Sequence, residues 1–288
     1  MDLHVVEIHY RNADEAPGRI QETEAFRVAG VYDVAGGQVS FEAPNLPDTE
    51  RTDDPVINLG LVGGHIADAV AHGLTSGRRV VVTGGNCAHL PGIVGGLEQA
   101  LGPTTRIGLV WFDAHGDFNT PKTTLSGMLG GMPVAVSAGL CHGHWRELAH
   151  QPFALPTNRI VMVDVRNLDP EEERLIAATE VTVVRRGESL ADAVARLAAD
   201  TDFIYLHMDL DILDRSLTPT HPTKEPNGPD VAETLRAVRA VLDSGKVGAL
   251  GLVAVFAQGP EGQTTMSSAI ELLRGSLGAW RERVEIPA

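Results

Sequence analysis

The 288-residue chain is 43% hydrophobic and 21% charged, the balance of a soluble globular protein with enough apolar side chains for a large core. Its 38 acidic against 23 basic residues leave a formal charge of -15, which repels phosphate backbones and anionic lipid surfaces and argues against nucleic-acid and membrane-surface binding. Two cysteines are too few for a disulfide scaffold, acids stand near the N-terminus where a targeting peptide carries bases, and no apolar run reaches about 18 residues, so a cytoplasmic chain without a membrane span is expected.

In chain order, a β-branched run at 3–8 opens the sequence. Residues 11–54 are rich in turn formers and acids and predict an irregular arm with one helix at 21–29. A helix at 57–73 then leads to a strand at 79–83, and a helix at 90–101 to a strand at 106–112. Strands at 159–163 and 180–184 flank a helix at 170–178, and a helix at 190–199 leads to a strand at 203–209. Residues 215–229 hold four prolines and must be a loop. A helix at 231–244, a strand at 247–255 and a helix at 266–283 complete the chain. This alternation predicts an α/β fold: a three-layer αβα arrangement with a mainly parallel central sheet. No linker-like stretch interrupts it, so residues 1–288 are expected to form one domain.

The strongest chemical signal is Asp113-Ala114-His115-Gly116-Asp117, directly after the apolar strand Ile107-Gly108-Leu109-Val110-Trp111-Phe112. Two carboxylates and an imidazole within five residues at a strand end can converge on one divalent Mn, Zn, Fe or Ni ion. The plain alternative is a capped turn at Asp113 with a solvated His115. Asp209 and Asp211 end the run 203–208, where period-two geometry sets His207, Asp209 and Asp211 on one face. Buried there, the carboxylates would repel each other without a cation between them. Together the two clusters supply donors for two metals about 3.5–4 Å apart.

A third strand end carries Thr83-Gly84-Gly85-Asn86-Cys87-Ala88-His89. Its glycines permit a tight turn, and no phosphate-binding pattern is present. Cys87 or His89 could be a donor, although either residue alone in such a loop is usually packing. Trp111 and Phe112 read as core, Cys141 as a small buried hydrophobe, and His142 and His144 as solvated.

The order GGNC, DAHGD and DLD, each closing a strand, resembles the ureohydrolases, the arginase and agmatinase family of dinuclear manganese enzymes, over nearly the whole chain. The resemblance implies an arginase-like fold and metal-dependent hydrolysis of a linear amidine or guanidine C–N bond. It implies two Mn2+ ions on Cys87, Asp113, His115, Asp117, Asp209 and Asp211, with Asp113 and Asp209 bridging and catalytic roles for Asp117 and His115. The family's first ligand is a histidine; Cys87 stands in its place, as in N-hydroxyarginine amidinohydrolase-like members, which also share HGDFNTP and LGGM with this chain. A thiolate is softer than imidazole, so Zn2+, Fe2+ or Ni2+ join Mn2+ as candidates. His89 could supply the missing nitrogen if the turn shifts.

The resemblance extends to an amino-acid clamp: Asn119, Thr124 and Ser126 for an α-carboxylate, Asp169 and Glu172 for an α-ammonium. Asp169-Pro170-Glu171-Glu172 equally reads as a helix N-terminus. His207, Thr223 and Glu225 are further candidates around the site. Departures cluster at the reacting end, where the family's proton-shuttle histidine falls on Gly130 and its guanidinium-pairing glutamate on Ala254. Unless Glu225 or Asp230 reaches in, a guanidinium has no fixed counter-charge. The expected substrate is a guanidino- or hydroxyguanidino-amino acid giving urea or hydroxyurea plus an amine; a formimino-amino acid hydrolase and a non-catalytic metal-binding relic are the alternatives. The resemblance also implies a homo-trimer or homo-hexamer.

Overall fold

The computed structural model describes residues 1–285. Its ten strands are β1 (Leu3–Ile8), β2 (Tyr10–Arg11), β3 (Asp14–Glu15), β4 (Val39–Glu42), β5 (Arg79–Gly84), β6 (Ile107–Phe112), β7 (Ile160–Val163), β8 (Thr182–Val184), β9 (Phe203–Asp209) and β10 (Val247–Val253). Eight of these form a parallel sheet in the order β4-β1-β5-β10-β9-β6-β7-β8, and β2 and β3 make a small antiparallel ribbon. Helices α1 (Pro17–Val28), α2 (Pro55–Thr75), α3 (Leu90–Leu101), α4 (Pro133–Ser137), α5 (Gly143–Leu148), α6 (Pro170–Ala177), α7 (Leu190–Asp200), α8 (Val231–Leu242) and α9 (Gly262–Glu285) connect them. The expected three-layer α/β architecture is therefore present.

The sheet is covered on both faces, its central strands being buried along nearly their whole length rather than at alternate positions. Period-two geometry divides them between two cores. Val80, Val82, Leu109 and Trp111 pack with Ile66 and Val70 of α2 and Ile93 and Leu97 of α3. Val81, Val110 and Phe112 pack with Leu197 of α7, Val238 of α8 and Leu273 of α9.

Three boundaries differ from expectation for identifiable reasons. The helix of the arm starts at Pro17 rather than 21, and α2 starts at Pro55, since proline at a first helical turn loses no hydrogen bond and presets φ. The arm also contributes β4, an edge strand on β1 whose four residues are too few to show a period. The last strand ends at Val253 instead of 255 because Ala254 and Phe256 take left-handed φ values of 56° and 50°, bending the chain away from the sheet.

Two glycines set the turn after β5. Gly84 (φ +76°) and Gly85 (φ +62°) fold against the end of β1, where the Gly85 N–H donates to Ile8 O at 2.8 Å. A Cβ on Gly84 would lie 2.4 Å from that same backbone oxygen. Gly84→Ala is expected to cost on the order of 3 kcal/mol, from the positive φ and the backbone clash together. An unchanged urea midpoint would show that the turn can relax.

On α3, away from this turn, burial pushes the Glu98 carboxyl up to about 7 from its ordinary 4.5, against the Phe153 N–H that it accepts at 3.4 Å. The folded value is the higher one, so its contribution is fully present below pH 4.5 and lost as pH rises through 7. Discounting for partial exposure, Glu98→Gln should gain about 1–2 kcal/mol at pH 8 and nothing at pH 4.5, as read by urea unfolding. Equal effects at both pH values would refute the assignment.

Candidate metal centre

In the sheet order, β10 and β9 separate β5 from β6, and the crevice outside the carboxyl ends of such strands is where open α/β sheets bind ligands. A cavity of about 430 Å³ occupies this place. Cys87, in the turn after β5, Asp113, His115 and Asp117, after β6, and Asp209 and Asp211, at and after the end of β9, all line it. Asp211 stands in the one-turn helix Leu210–Ile212, not on the strand face that period two predicted, and the Asp209 carboxylate caps that turn by accepting from the Asp211 N–H at 2.8 Å.

The Cys87 thiol donates to Asp209 Oδ2 at 2.9 Å and lies 3.6 Å from Asp113 Oδ2. His115 Nδ1 is 3.3 Å from Asp113 Oδ1 and 3.2 Å from Asp211 Oδ2. Burial and the neighbouring carboxylates push Asp113 well above the usual carboxylate range, and burial first raises Asp117 and Asp209 as well. For Asp211, burial is outweighed by the His115 hydrogen bond and charge, which hold it below that range. Burial also disfavours the His115 imidazolium, yet Asp113 and Asp211 together push it up to about 12. The Cys87 thiol is held well above its usual value by burial, then by Asp209, Asp113 and Asp117.

All four carboxylates are buried, Asp117 being the most exposed at 8%. Such a cluster is unfavourable without compensating cations. Carboxylates, a thiol and an imidazole within ligand reach, as in the groups Cys87–Asp113–Asp117 and Asp113–His115–Asp211, fit divalent metal ions. A bound cation would reverse the thiol's preference, since a coordinating thiol is deprotonated.

Asn119, Thr124, Ser126, Asp169, Glu172 and Thr223 line the same cavity. Asn119 Nδ2 donates to Asp169 Oδ2 at 3.2 Å, and Thr124 Oγ1 lies 3.4 Å from Ser126 Oγ. Asp169 and Glu172 also form the capping box of α6, Glu172 accepting from the Phe118 N–H at 2.8 Å and the Asp169 N–H at 3.2 Å. The helix-terminus reading of this pair is thus present, with both side chains also lining the cavity. Thr223 Oγ1 donates to Asp211 Oδ2 at 2.9 Å.

Other candidates stand apart from the cavity. His89 is buried, turned toward Asn12 O at 2.7 Å and the Asn86 backbone, and burial lowers it to about 4; the turn does not shift to bring it in. His207 lies beneath Cys87, with Nε2 3.5 Å from the sulfur, stacked on Trp111 at 3.8 Å between ring centroids and 3.0 Å from the Tyr205 hydroxyl. Glu225 sits outside, 3.7 Å from His115 Nε2, and is tied to Asn167. Asp230 caps α8. His142, at the N-cap of α5, is half-buried with its Nε2 inside the protein and so departs from the solvated reading, whereas His144 is exposed. Trp111 and Phe112 are core residues, as expected, and Cys141 is half-buried.

Several lining residues were not foreseen. His221, in the Pro-rich loop, reaches to 3.4 Å from Asp209 Oδ1; its surroundings of threonine and proline carry no ligand pattern. Arg11, Asn12, Asn86 and Phe256 also line the cavity. Arg11 and Arg19 place their guanidinium groups 5.2 and 4.1 Å from the Phe256 ring, and Arg19 pairs with Glu22 at 2.9 Å. Near Gly130 the neighbours are Asn12 and Asn86, and the cation lining the cavity on the Phe256 side is Arg11.

A model of the arginase family matches residues 7–278. An arginase of Agrobacterium fabrum is 30% identical over 264 residues, covering 82% of this chain and 78% of that protein. The crystal structure of an arginase from Bacillus cereus superposes with a TM-score of 0.83 at 23% identity over 96% of this chain and 98% of that one. That of formimidoylglutamase from Bacillus subtilis gives 0.71 at 16% over 97% and 87%. Among the described residues, no helix is long and apolar enough to cross a membrane.

Proposed function

The chain belongs to the arginase family, hydrolases of C–N bonds in linear amidines, and from that premise we propose that it hydrolyses a hydroxyguanidino-amino acid to hydroxyurea and an amine. The observation that carries this is one cavity of about 430 Å³ lined at one end by the buried carboxylate cluster and at the other by Asn119, Thr124, Ser126, Asp169 and Glu172. Cys87, Asp113, His115, Asp117, Asp209 and Asp211 would hold two divalent cations, Mn2+ being the family's usual metal and Cys87 shifting one site toward softer ions. Bound there, the cations would acidify a water and neutralise charge developing on the amidine carbon's oxygen.

The clamp residues have the chemistry for an amino-acid end: neutral donors for a carboxylate, acids for an ammonium. Asp117, buried beside the clamp, would accept and hold a proton of the attacking water, while His115 orients the carboxylates on either side of it. At the reacting end, Ala254 offers no counter-charge and Gly130 no proton carrier, and Arg11, over the Phe256 ring, adds a positive charge, that of Arg19 being paired with Glu22. A guanidinium is disfavoured against such a wall, whereas a hydroxyguanidine, whose electronegative oxygen lowers its basicity so that it can bind uncharged, is not. A formimino-amino acid is the second reading, supported by the same missing carboxylate. The setting proposed is cytoplasmic, in keeping with two free cysteines, and the assembly a homo-trimer or homo-hexamer.

The test is Mn2+ reconstitution with elemental analysis, followed by kcat/KM for arginine, Nω-hydroxyarginine and formiminoglutamate. The hydroxyguanidine should lead arginine by about 10–100-fold, the worth of an absent charged hydrogen bond. A lead for formiminoglutamate would select the second reading, and no turnover on any of the three with metal bound would point to a non-catalytic relic.

A further inference from the structure

His221 faces the carboxylate cluster and has no part in the reading above. It is 1% exposed, and its Nε2, buried 3.4 Å from Asp209 Oδ1, has no hydrogen-bond partner. On the other side of the ring, Nδ1 accepts from the Thr223 N–H at 3.3 Å and lies 3.2 Å from Thr223 Oγ1, whose hydroxyl donates to Asp211 Oδ2 at 2.9 Å. Even with Nδ1 accepting from Thr223, Nε2 makes no hydrogen bond to Asp209; when the proton moves to Nδ1 and is donated to Thr223 Oγ1, the Nε2 lone pair and the Asp209 carboxylate become two acceptors face to face. In a buried site that contact is unfavourable unless a cation lies between them. Outer partners such as Thr223 are also what fixes the tautomer of a ligating imidazole.

The ring is held in this place. Its loop is anchored by Thr220 on Thr265 at 2.6 Å and by Ser268 on Leu217 O at 2.9 Å, and the imidazole packs edge-on against Phe256 at 4.9 Å between centroids. The donor group Asp209–Asp211–His221 shares Asp211 with the group Asp113–His115–Asp211, so the two imidazoles flank one carboxylate.

We propose that His221 is a metal-ligating residue whose Nε2 joins Asp209 and Asp211 on the ion that His115 also binds. The proposal rests on the metal-centre reading above and deepens it. The two ions then have unlike donor sets: sulfur with carboxylates beside Cys87, two imidazoles with carboxylates beside Asp211. The imidazole-rich position binds first, and Co2+, Ni2+ and Zn2+ compete there with Mn2+ better than at an all-oxygen site. The competing description is an imidazolium paired with Asp209 and Asp211, which needs no metal.

Proton NMR of the metal-free full chain with one equivalent of Co2+ separates the two, because each ligating imidazole contributes an exchangeable, strongly shifted ring N–H signal. Two such signals are expected in the wild type. His221→Asn should keep one and raise the Co2+ dissociation constant, measured by chelator competition, at least about tenfold. One signal in the wild type, or an unchanged constant in the variant, overturns the proposal and leaves the hydrolase reading standing. Failure to bind Co2+ or Mn2+ at all overturns both. Since the wild-type spectrum carries the count, a variant that fails to fold does not remove the test.

Discussion

Asp209→Asn is expected to lower kcat/KM by at least about 10³-fold, some 4 kcal/mol of transition-state stabilisation, while raising the melting temperature of the metal-free protein. Both effects have one cause. Asp209 accepts from the Cys87 thiol and the Asp211 N–H and faces His221, so it meets groups from three segments of the centre. Without a cation its charge lies in a buried space shared with Asp113, Asp117 and Asp211, and burial and Asp211 raise its carboxyl accordingly. Asparagine keeps an oxygen for the Asp211 N–H and removes one of four mutually repelling charges, a gain of roughly 1–3 kcal/mol for the empty fold. The same change removes a carboxylate oxygen that would hold the metal. Thermal unfolding in excess chelator and metal content by elemental analysis check the two halves. Full metal content with full turnover would remove Asp209 from the centre, and a lower melting temperature of the metal-free variant would show that the apo cluster is held together by hydrogen bonds rather than strained by charge.

The parts of this site that could be read from sequence are those whose donors are close along the chain. Asp113, His115 and Asp117 fall within five residues after an apolar strand, and Asp209 and Asp211 within three, so strand geometry alone gathers them. His221 is different: it enters the cavity only because its loop folds back over the end of β9 and is fastened to α9 by Thr265 and Ser268. Arg11 and Arg19 are harder still. They lie some 240 residues before Phe256, in an arm whose composition suggested only irregularity, and meet it through packing that no local pattern encodes. The eight parallel strands were largely visible as β-branched runs, whereas β4 was hidden because an edge strand of four half-buried residues has neither length nor period.

The arm's cations make the reacting end testable from the opposite direction. Ala254→Glu is expected to raise kcat/KM for arginine relative to Nω-hydroxyarginine by about 10–100-fold, the value of about 1.5–3 kcal/mol for a charged hydrogen bond. Ala254 already holds a left-handed φ of 56°, with its N–H on Gly85 O at 3.2 Å, so glutamate adds no new backbone strain, but at this 2% exposed position its side chain must extend into the cavity. It lines the cavity, and its present methyl group offers an incoming guanidinium nothing to pair with. A carboxylate there competes for two partners, the substrate and the Arg11 guanidinium near Phe256. Arg11→Gln should therefore shift the ratio in the same direction by itself, by less and in a salt-dependent way because Arg11 is exposed, and should enlarge the effect of Ala254→Glu when the two are combined. Strict additivity would mean that the arginine does not compete for the new carboxylate. An unchanged ratio in Ala254→Glu with metal content intact would mean that discrimination between guanidine and hydroxyguanidine arises at the metal ions and not at this wall.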